Sequence, residues 1–165
     1  MIASRFTALR GDERGASLIE LALAAPVLAA LVIGMADMAR AYSLKLILEQ
    51  AAQRSIEMVE NQRSVATDYS TSLTTEATGA MTDAGYSTGN TITPDSWLEC
   101  SSDGTTWTRQ TDFNGSCPNA GDTTARYVSL RISRSFTPMF PSRAWPGADA
   151  NGSLTLSGYA EVRVQ

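Results

Sequence analysis

The sequence predicts an α+β fold, in which a long N-terminal transmembrane and stalk helix packs on a small antiparallel β-sheet domain with a second short helix. Three observations lead to this fold class. The 165-residue chain carries an uncharged apolar run from Leu21 to Ala36, apolar residues recur at helical spacing after that run, and the last third alternates apolar and polar residues. A chain of this length suits one folded domain plus an anchor.

The apolar segment from Ala16 to Ala39 is long enough to cross a membrane. At about 1.5 Å per residue, a helix of this length reaches roughly 36 Å, and the hydrocarbon layer of a bilayer is roughly 30 Å thick. Arginines cluster in the polar residues that precede the segment, which predicts a cytoplasmic N-terminus and a body on the other side of the membrane. We therefore expect a leader over residues 1–15 and a single span over residues 16–39.

Two other interpretations of the apolar run compete with a membrane span. A cleaved secretory signal peptide would place a small-residue cleavage site between Ala22 and Ala30, but Glu20 interrupts its apolar core and the run is longer than most signal peptides need. A buried core helix would require a body that covers the run on every side, and this chain is too small for that.

The segment after the span has the pattern of an amphipathic helix. Apolar residues at helical spacing predict a stalk over residues 40–63, whose stripe packs on the downstream domain in preference to a partner helix. The stripe consists of Leu44, Leu48, Ala52, Ile56 and Val59. The domain takes residues 64–165, and a weaker apolar pattern over residues 64–84 predicts a second helix that ends at Gly85.

The strands are predicted from period-two alternation. Residues 127–136 and 153–164 both alternate, which indicates two half-buried strands, antiparallel to each other. Asp103-Gly104 predicts a hairpin turn between residues 96–99 and 105–109. The rest of residues 86–126 has the turn signals of loops and short strands. The connection between the last two strands carries prolines, Phe140 and Trp145, and is long enough to be functional.

Composition excludes several classes of function. The formal net charge is −4 and no Lys/Arg stripe occurs, which argues against a nucleic-acid surface. Histidine is absent, so the chain cannot build a Ser-His or Cys-His dyad or a His-ligated metal site. No glycine-rich phosphate cradle occurs, and Lys45 is the only lysine available to activate a nucleophile. We expect no enzymatic activity, no cofactor and no metal.

Cys100 and Cys117 lie in a polar stretch that is rich in turn residues. Two thiols without histidine are too few for a structural zinc site, so a disulfide is expected if the compartment is oxidising. Closing a loop of this size contributes about 3 kcal/mol in the chain-entropy model. The alternative is a pair of free thiols in a cytosolic loop.

Glu20 is the acid inside the apolar helix. A carboxylate in lipid is costly and usually has a partner, although an acid close to a helix N-terminus is also favoured by the helix dipole. Counted from the bond after Gly15, Glu20 is the fifth residue. This spacing, at the start of an apolar span and behind a short arginine-containing leader, indicates more than a charge at a helix end.

The stretch from Gly15 to Glu20 resembles the type IV prepilin processing motif, in which a membrane aspartic peptidase cuts after glycine. More narrowly, RGASLIELALAAPVLAALVIGMADMARAYSLKLILEQAAQRS is similar to the N-terminus of TadE-like pseudopilins, minor pilins of the tight-adherence (Flp) type IV pilus system. The resemblance is carried by a set of ten residues: Arg14, Gly15, Glu20, Pro26, Gly34, Asp37, Arg40, Tyr42, Ala51 and Ala52.

The resemblance implies a structural role in a pilus. A prepilin peptidase would cut between Gly15 and Ala16, and Glu20 would pair with the new amine of Ala16 on a neighbouring subunit, which relieves two charges that are each costly in lipid. Pro26 would either bend the helix for packing or be tolerated there.

The implied partners are prepilin peptidase, other pilin or pseudopilin subunits, an inner-membrane assembly platform and membrane lipid. The implied location is the bacterial inner membrane, with a periplasmic body, or an extracellular pilus. Two alternatives remain open at this stage: an uncleaved, membrane-anchored periplasmic assembly factor, and a secreted binding module that adheres through Phe140, Trp145 or Trp107.

Overall fold

The computed structural model describes residues 13–61, 69–140, 143 and 145–164. These residues form the six elements of an α+β fold, which confirms the predicted class. In chain order they are α1 (Glu13–Asn61), α2 (Tyr69–Asp83), β1 (Asn90–Ser101), β2 (Thr108–Gln110), β3 (Thr123–Phe136) and β4 (Leu154–Arg163). Most of the predicted leader, the end of the predicted stalk and the start of the predicted second helix lie outside the described residues.

The chain divides into two compact units, Met1–Arg40 and Ala41–Gln165. The core belongs to the second unit, where four of the five predicted stripe residues of α1 are buried, and the side chain of Val59 lies outside the described ones. Leu44, Leu48, Ala52 and Ile56 are all 5 % exposed or less, and they join residues of α2 and β3 in one cluster. Full burial of a leucine side chain stabilises the fold by about 2 kcal/mol, so the stripe is a core element of this unit.

Helix α2 contributes a second apolar stripe and ends at a glycine cap. Leu73, Ala77 and Met81 are buried at spacings of four residues. After the helix, Gly85 has a φ of 87°, its amide donates to the Thr82 carbonyl, and the Tyr86 amide donates to the Met81 carbonyl. These two hydrogen bonds form a Schellman motif, which stops the helix where the sequence predicts it to stop.

The sheet has four antiparallel strands in the order β2-β1-β3-β4. β3 and β4 are the two strands predicted from alternation, and the inward residues Val128, Leu130 and Ile132 are buried. β1 and β2 form the predicted hairpin around Asp103, with Cys100 opposite Thr108. β1 is much longer than the predicted strand and begins at Asn90.

The two ends of the sheet carry different features. The β3–β4 connection lies at one end, the connection end, and the disulfide lies at the other, the disulfide end. At the connection end, β3 finishes at Phe136 and β4 starts opposite it at Leu154. At the disulfide end, Ser101 of β1 pairs with Thr123 of β3, and Cys100 is the neighbouring residue. The β3–β4 connection and the disulfide are therefore separated by the length of the sheet.

Helix α1 and strand β4 approach each other backbone to backbone at Gly158. A Cβ atom placed on Gly158 would lie 2.2 Å from the carbonyl carbon and oxygen of Leu48, a distance that real Cβ atoms do not reach. Nearby, the Lys45 Nζ donates a hydrogen bond to the Ser157 carbonyl and forms an ion pair of 2.9 Å with Glu49. The missing side chain at Gly158 is what allows the helix to lie this close to the sheet.

Candidate functional site

The N-terminal half of α1 presents an apolar surface. The segment Ser17–Met58 is the helix in the described part of the chain that is long and apolar enough to cross a membrane by length and composition, and none of its most apolar window is buried. Ten large apolar side chains are 55–72 % exposed: Leu18, Ile19, Leu21, Leu23, Val27, Leu28, Leu31, Val32, Met35 and Met38. This exposure does not fit a core helix, and it is compatible with a membrane anchor.

The predicted processing residues lie at the start of α1. The helix begins at Glu13, so the bond between Gly15 and Ala16 lies in its first turn. Glu20 follows on the same helix with an exposed side chain. Within the residues that the structure describes, no hydrogen bond or ion pair to Glu20 occurs. A carboxylate in this position is costly if the segment enters lipid, and such acids usually have a partner.

Pro26 lies inside α1 without ending it. Proline removes one backbone donor and crowds the carbonyl of the preceding turn, which bends or breaks most helices in water. A helix in a membrane tolerates this loss because neighbouring groups can satisfy the freed carbonyl. Helical structure continues on both sides of Pro26 from Glu13 to Asn61.

An ion pair lies at the C-terminal end of the apolar stretch. The sequence did not lead us to predict that these two residues pair. Arg40 Nη1 donates to Asp37 Oδ1 at 3.0 Å, and the side chain of Asp37 is 7 % exposed while that of Arg40 is 50 % exposed. Opposite charges three residues apart face each other on a helix, which is the signal that could have found the pair. The acid at this end of the apolar stretch therefore carries its counter-ion on the same helix.

Cys100 and Cys117 form a disulfide, with Cα atoms 5.7 Å apart. The bridge ties the end of β1 to the loop that precedes β3. Arg126 of β3 holds the same loop, since its guanidinium donates to the carbonyls of Phe113 and Gly115. The bridge and the Arg126 contacts together order a polar segment that has no strand or helix of its own.

Neither the disulfide nor the aromatic residues of the body belong to the processing segment in sequence. The predicted processing and assembly residues, Gly15, Ala16, Glu20 and Pro26, lie together on the first part of α1. Trp107, Phe140 and Trp145 lie in connections between strands. No group of three or more acidic or cysteine side chains that could hold a metal ion occurs in the described residues.

The comparisons with known proteins bear on this first part of α1. The family model described as TadE-like protein matches residues 15–56, about a quarter of the chain. No curated protein and no solved structure matches the chain. The match begins at Gly15, includes Glu20, Pro26 and the Asp37–Arg40 pair, and confirms the resemblance drawn from these residues. From the glycine at the predicted cut to Ile56 in the core of the body, the chain is similar to TadE-like proteins.

Proposed function

We propose that this chain is a pilin-like structural subunit, a minor pilin or pseudopilin, of a tight-adherence type IV pilus or a related secretion system. The match to TadE-like proteins supports association with such a pilus at the general level. The finer role is that a prepilin peptidase cuts after Gly15 and that the mature subunit assembles through its N-terminal helix. The observation that carries this role is Glu20, an exposed carboxylate on an apolar helix, without a partner among the described residues.

The proposed assembly contact follows from charge. Cleavage after Gly15 creates a positive amine on Ala16, four positions before Glu20, the next acid along the helix. Residues four apart are neighbours on one helix, and an axial shift between neighbouring helices can also bring the amine of one subunit to the Glu20 carboxylate of another. Pairing them removes two charges that are each costly in lipid and fixes the register between subunits. The subunit would reside in the bacterial inner membrane with its body in the periplasm, alongside an assembly platform and other pilin-like subunits.

In this proposal the body, the Ala41–Gln165 unit, has a structural role and no catalytic one. It has its own core and a disulfide, which suits an oxidising compartment. We propose no catalytic role for it and no cofactor.

The first test concerns proteolytic cleavage between Gly15 and Ala16. In the native host, the mature protein should begin at Ala16 by intact mass and N-terminal sequencing. Gly15→Leu should leave the precursor uncut because the motif requires glycine before the scissile bond. Gly34→Ala is the matched control, since a Cβ at Gly34 meets nothing within 4 Å, and it should be processed normally.

The outcomes separate three functions. A mature N-terminus at Ala16 supports the pilin-like subunit, retention of Met1 indicates an uncleaved assembly factor, and a start beyond Ala22 indicates a secreted module. Normal processing of Gly15→Leu would contradict the motif.

The second test concerns Glu20. Glu20→Gln should insert into the membrane normally but lose co-purification with pilin partners, because the neutral amide cannot pair with the Ala16 amine. Glu57→Gln, at an exposed position of α1 in the body unit, is the control and should assemble like the wild type. Undiminished assembly of Glu20→Gln would mean that the carboxylate is only a helix-end charge.

A further inference from the structure

One five-residue sequence pattern, Asp-x-Asn-Gly-Ser, occurs twice in the body. Residues 112–116, DFNGS, lie in the loop between β2 and β3, and residues 149–153, DANGS, end immediately before β4. Asparagine followed two positions later by serine, with no proline between them, is the acceptor sequence for N-linked glycans. Asn114 and Asn151 therefore stand at the acceptor position of this sequence.

The two copies of the pattern adopt the same turn. The backbone amide of Asn114 donates to the Asp112 carboxylate at 3.0 Å, and the backbone amide of Asn151 donates to the Asp149 carboxylate at 2.8 Å. The amide of the glycine that follows donates to the carbonyl of the same aspartate, at 3.2 Å in the first copy and 3.0 Å in the second. Aspartate at the first position and glycine at the fourth are residues that such turns favour.

The side chains of both acceptor asparagines are accessible. Asn114 and Asn151 are exposed, and within the residues that the structure describes neither side-chain amide forms a hydrogen bond. Two asparagines outside the pattern differ, since Asn90 donates its side-chain amide to a backbone carbonyl and Asn119 donates to a carboxylate. The amides inside the pattern are thus the ones that a modifying enzyme can take without breaking a contact.

The turn accounts for the aspartate and the glycine of the pattern but not for the serine hydroxyl. Ser116 is exposed, and its hydroxyl has no hydrogen-bond partner in the described part of the chain. The Ser153 hydroxyl lies 3.1 Å from the hydroxyl of Thr137. A hydroxyl at this position is what distinguishes an acceptor sequence from an ordinary Asn-Gly turn.

A bound cation explains the repeated pattern less well than a glycan does. Calcium takes roughly six to eight oxygen ligands, several of them from carboxylates. Each turn contains one carboxylate, and backbone amides already donate to it. Across the described residues, no group of three or more acidic or cysteine side chains could hold a metal ion.

We propose that Asn114 and Asn151 are N-glycosylation sites, which receive an oligosaccharide from a polyprenyl-diphosphate-linked donor through a membrane oligosaccharyltransferase. The asparagine Nδ2 forms a bond to C1 of the first sugar, and the bond between C1 and the diphosphate oxygen breaks. Polyprenyl diphosphate leaves with the electron pair, and a proton of Nδ2 passes to a base of the enzyme. This inference rests on the extracytoplasmic body in the proposed function, because the donor has to meet the body on that side of the membrane.

The two sites lie at different ends of the sheet. Asn114 lies in the loop that the disulfide and Arg126 hold, and Asn151 lies in the β3–β4 connection, three residues before Leu154. Because both sites have the same sequence pattern and the same turn, one enzyme can recognise both. Glycans are bulky and hydrophilic, so each would add a solubilising group to one end of the sheet.

The experiment uses the full chain, purified from membranes of the native host and digested into peptides for electron-transfer mass spectrometry. Asn114 and Asn151 should each carry an adduct that contains hexose or hexosamine. Ser116→Ala should remove the adduct from Asn114 and leave that on Asn151, whereas Ser116→Thr should retain both. Asn119→Gln is the matched control, an exposed position in the same loop without the acceptor pattern, and should leave both adducts unchanged.

Unmodified Asn114 and Asn151 in the native protein would overturn the proposal. So would conversion of both side chains to carboxyl groups, the product of deamidation at Asn-Gly, and so would an adduct on Asn114 that survives Ser116→Ala. The mature N-terminus of the same sample separates this inference from the proposed function. A chain that begins at Ala16 without glycans overturns only the glycosylation, whereas a glycosylated chain that begins at Met1 overturns only the cleaved subunit.

Discussion

Two carboxylates bound the uncharged stretch of α1, and their surroundings differ. Asp37 pairs with Arg40 on the same helix, and its side chain is almost fully covered. Glu20 is exposed and, in the part of the chain that the structure describes, has no such pair. Charge neutralisation of Asp37 is local, whereas in the proposed assembly the counter-charge of Glu20 comes from a neighbouring subunit. Under that proposal Glu20, and not Asp37, favours association.

At the same scale, Gly158 sets how closely α1 can approach the sheet. Gly158→Ala should destabilise the body by about 1–3 kcal/mol, since the new methyl group would collide with the Leu48 backbone, which cannot rotate away as a side chain can. Thermal unfolding of the full chain in detergent, followed by circular dichroism, measures the effect.

Gly79→Ala is the matched control for this prediction. A Cβ at Gly79 meets nothing within 4 Å, and its position inside α2 favours alanine by about 1 kcal/mol. Gly79→Ala should therefore raise the unfolding temperature while Gly158→Ala lowers it. Equal stability of Gly158→Ala and the wild type would show that the helix can move away from β4.

Among the elements, the β1–β2 turn depends on one carboxylate. Asp103 accepts hydrogen bonds from the backbone amides of Thr106 and Thr105 at 2.7 and 2.8 Å and from the Ser101 hydroxyl. These hydrogen bonds, the one from the Thr106 amide first, hold the pKa of Asp103 well below its ordinary value. A lowered pKa in the folded state stabilises the fold above the carboxyl's unfolded pKa of about 4, and this stabilisation is lost as the pH falls towards the folded value.

Asp103→Asn should therefore lower the unfolding temperature at pH 7, and the difference from the wild type should shrink as the pH falls from about 5 towards 2. The measurement is a calorimetric unfolding series over this range. A difference that stays constant with pH would mean that the ionised carboxylate does not stabilise the turn.

The elements also show what a single sequence can predict. α1, β3 and β4 were predictable because long periodic patterns define them. Most of β1 was not predictable, because Pro94 lies within it and a proline argues against a strand. Within the described residues β2 pairs only with Leu98–Cys100, so β1 is an open edge at Pro94 and a residue without an N–H is tolerated there.

The candidate site was predictable for a different reason. Gly15, Glu20 and Pro26 lie on one helix, so their spacing in the sequence is their spacing in the structure. The Asp37–Arg40 pair was not predicted, although the two residues lie three positions apart on one helix and so contact each other within one turn. The predicted partner of Glu20, the Ala16 amine of a neighbouring subunit, is a group on another copy, so a single chain does not test it.

On the scale of the whole molecule, the chain combines a unit with exposed apolar side chains and a unit with its own core. The family match joins them, since it starts at Gly15 and ends at Ile56, inside the stripe that is buried in the body. The match therefore covers the apolar part of α1 and most of the part of α1 that belongs to the body unit. The sheet and α2 lie outside it.

The disulfide makes the topology of the whole chain directly measurable. Both cysteines are used in the bridge, so an introduced cysteine is the sole free thiol. Ser43→Cys, exposed past the span, should react with a membrane-impermeant maleimide added outside spheroplasts, whereas Ala29→Cys inside the apolar stretch should not. Labelling of Ser43→Cys only after lysis would reverse the proposed orientation, and equal labelling of both would argue against a span.

The hydrogen bond from Lys45 to Ser157 affects whether copies of this chain can pair through the edge of β4. β4 is the last strand of the sheet, and the edge of such a strand can recruit a strand from a neighbouring molecule. The lysine ammonium already occupies one of its carbonyls, and the paired Glu49 adds a second charge there. In the proposed filament this charged contact would oppose strand addition between neighbouring bodies, because an added strand would meet the lysine and glutamate charges at the edge of β4.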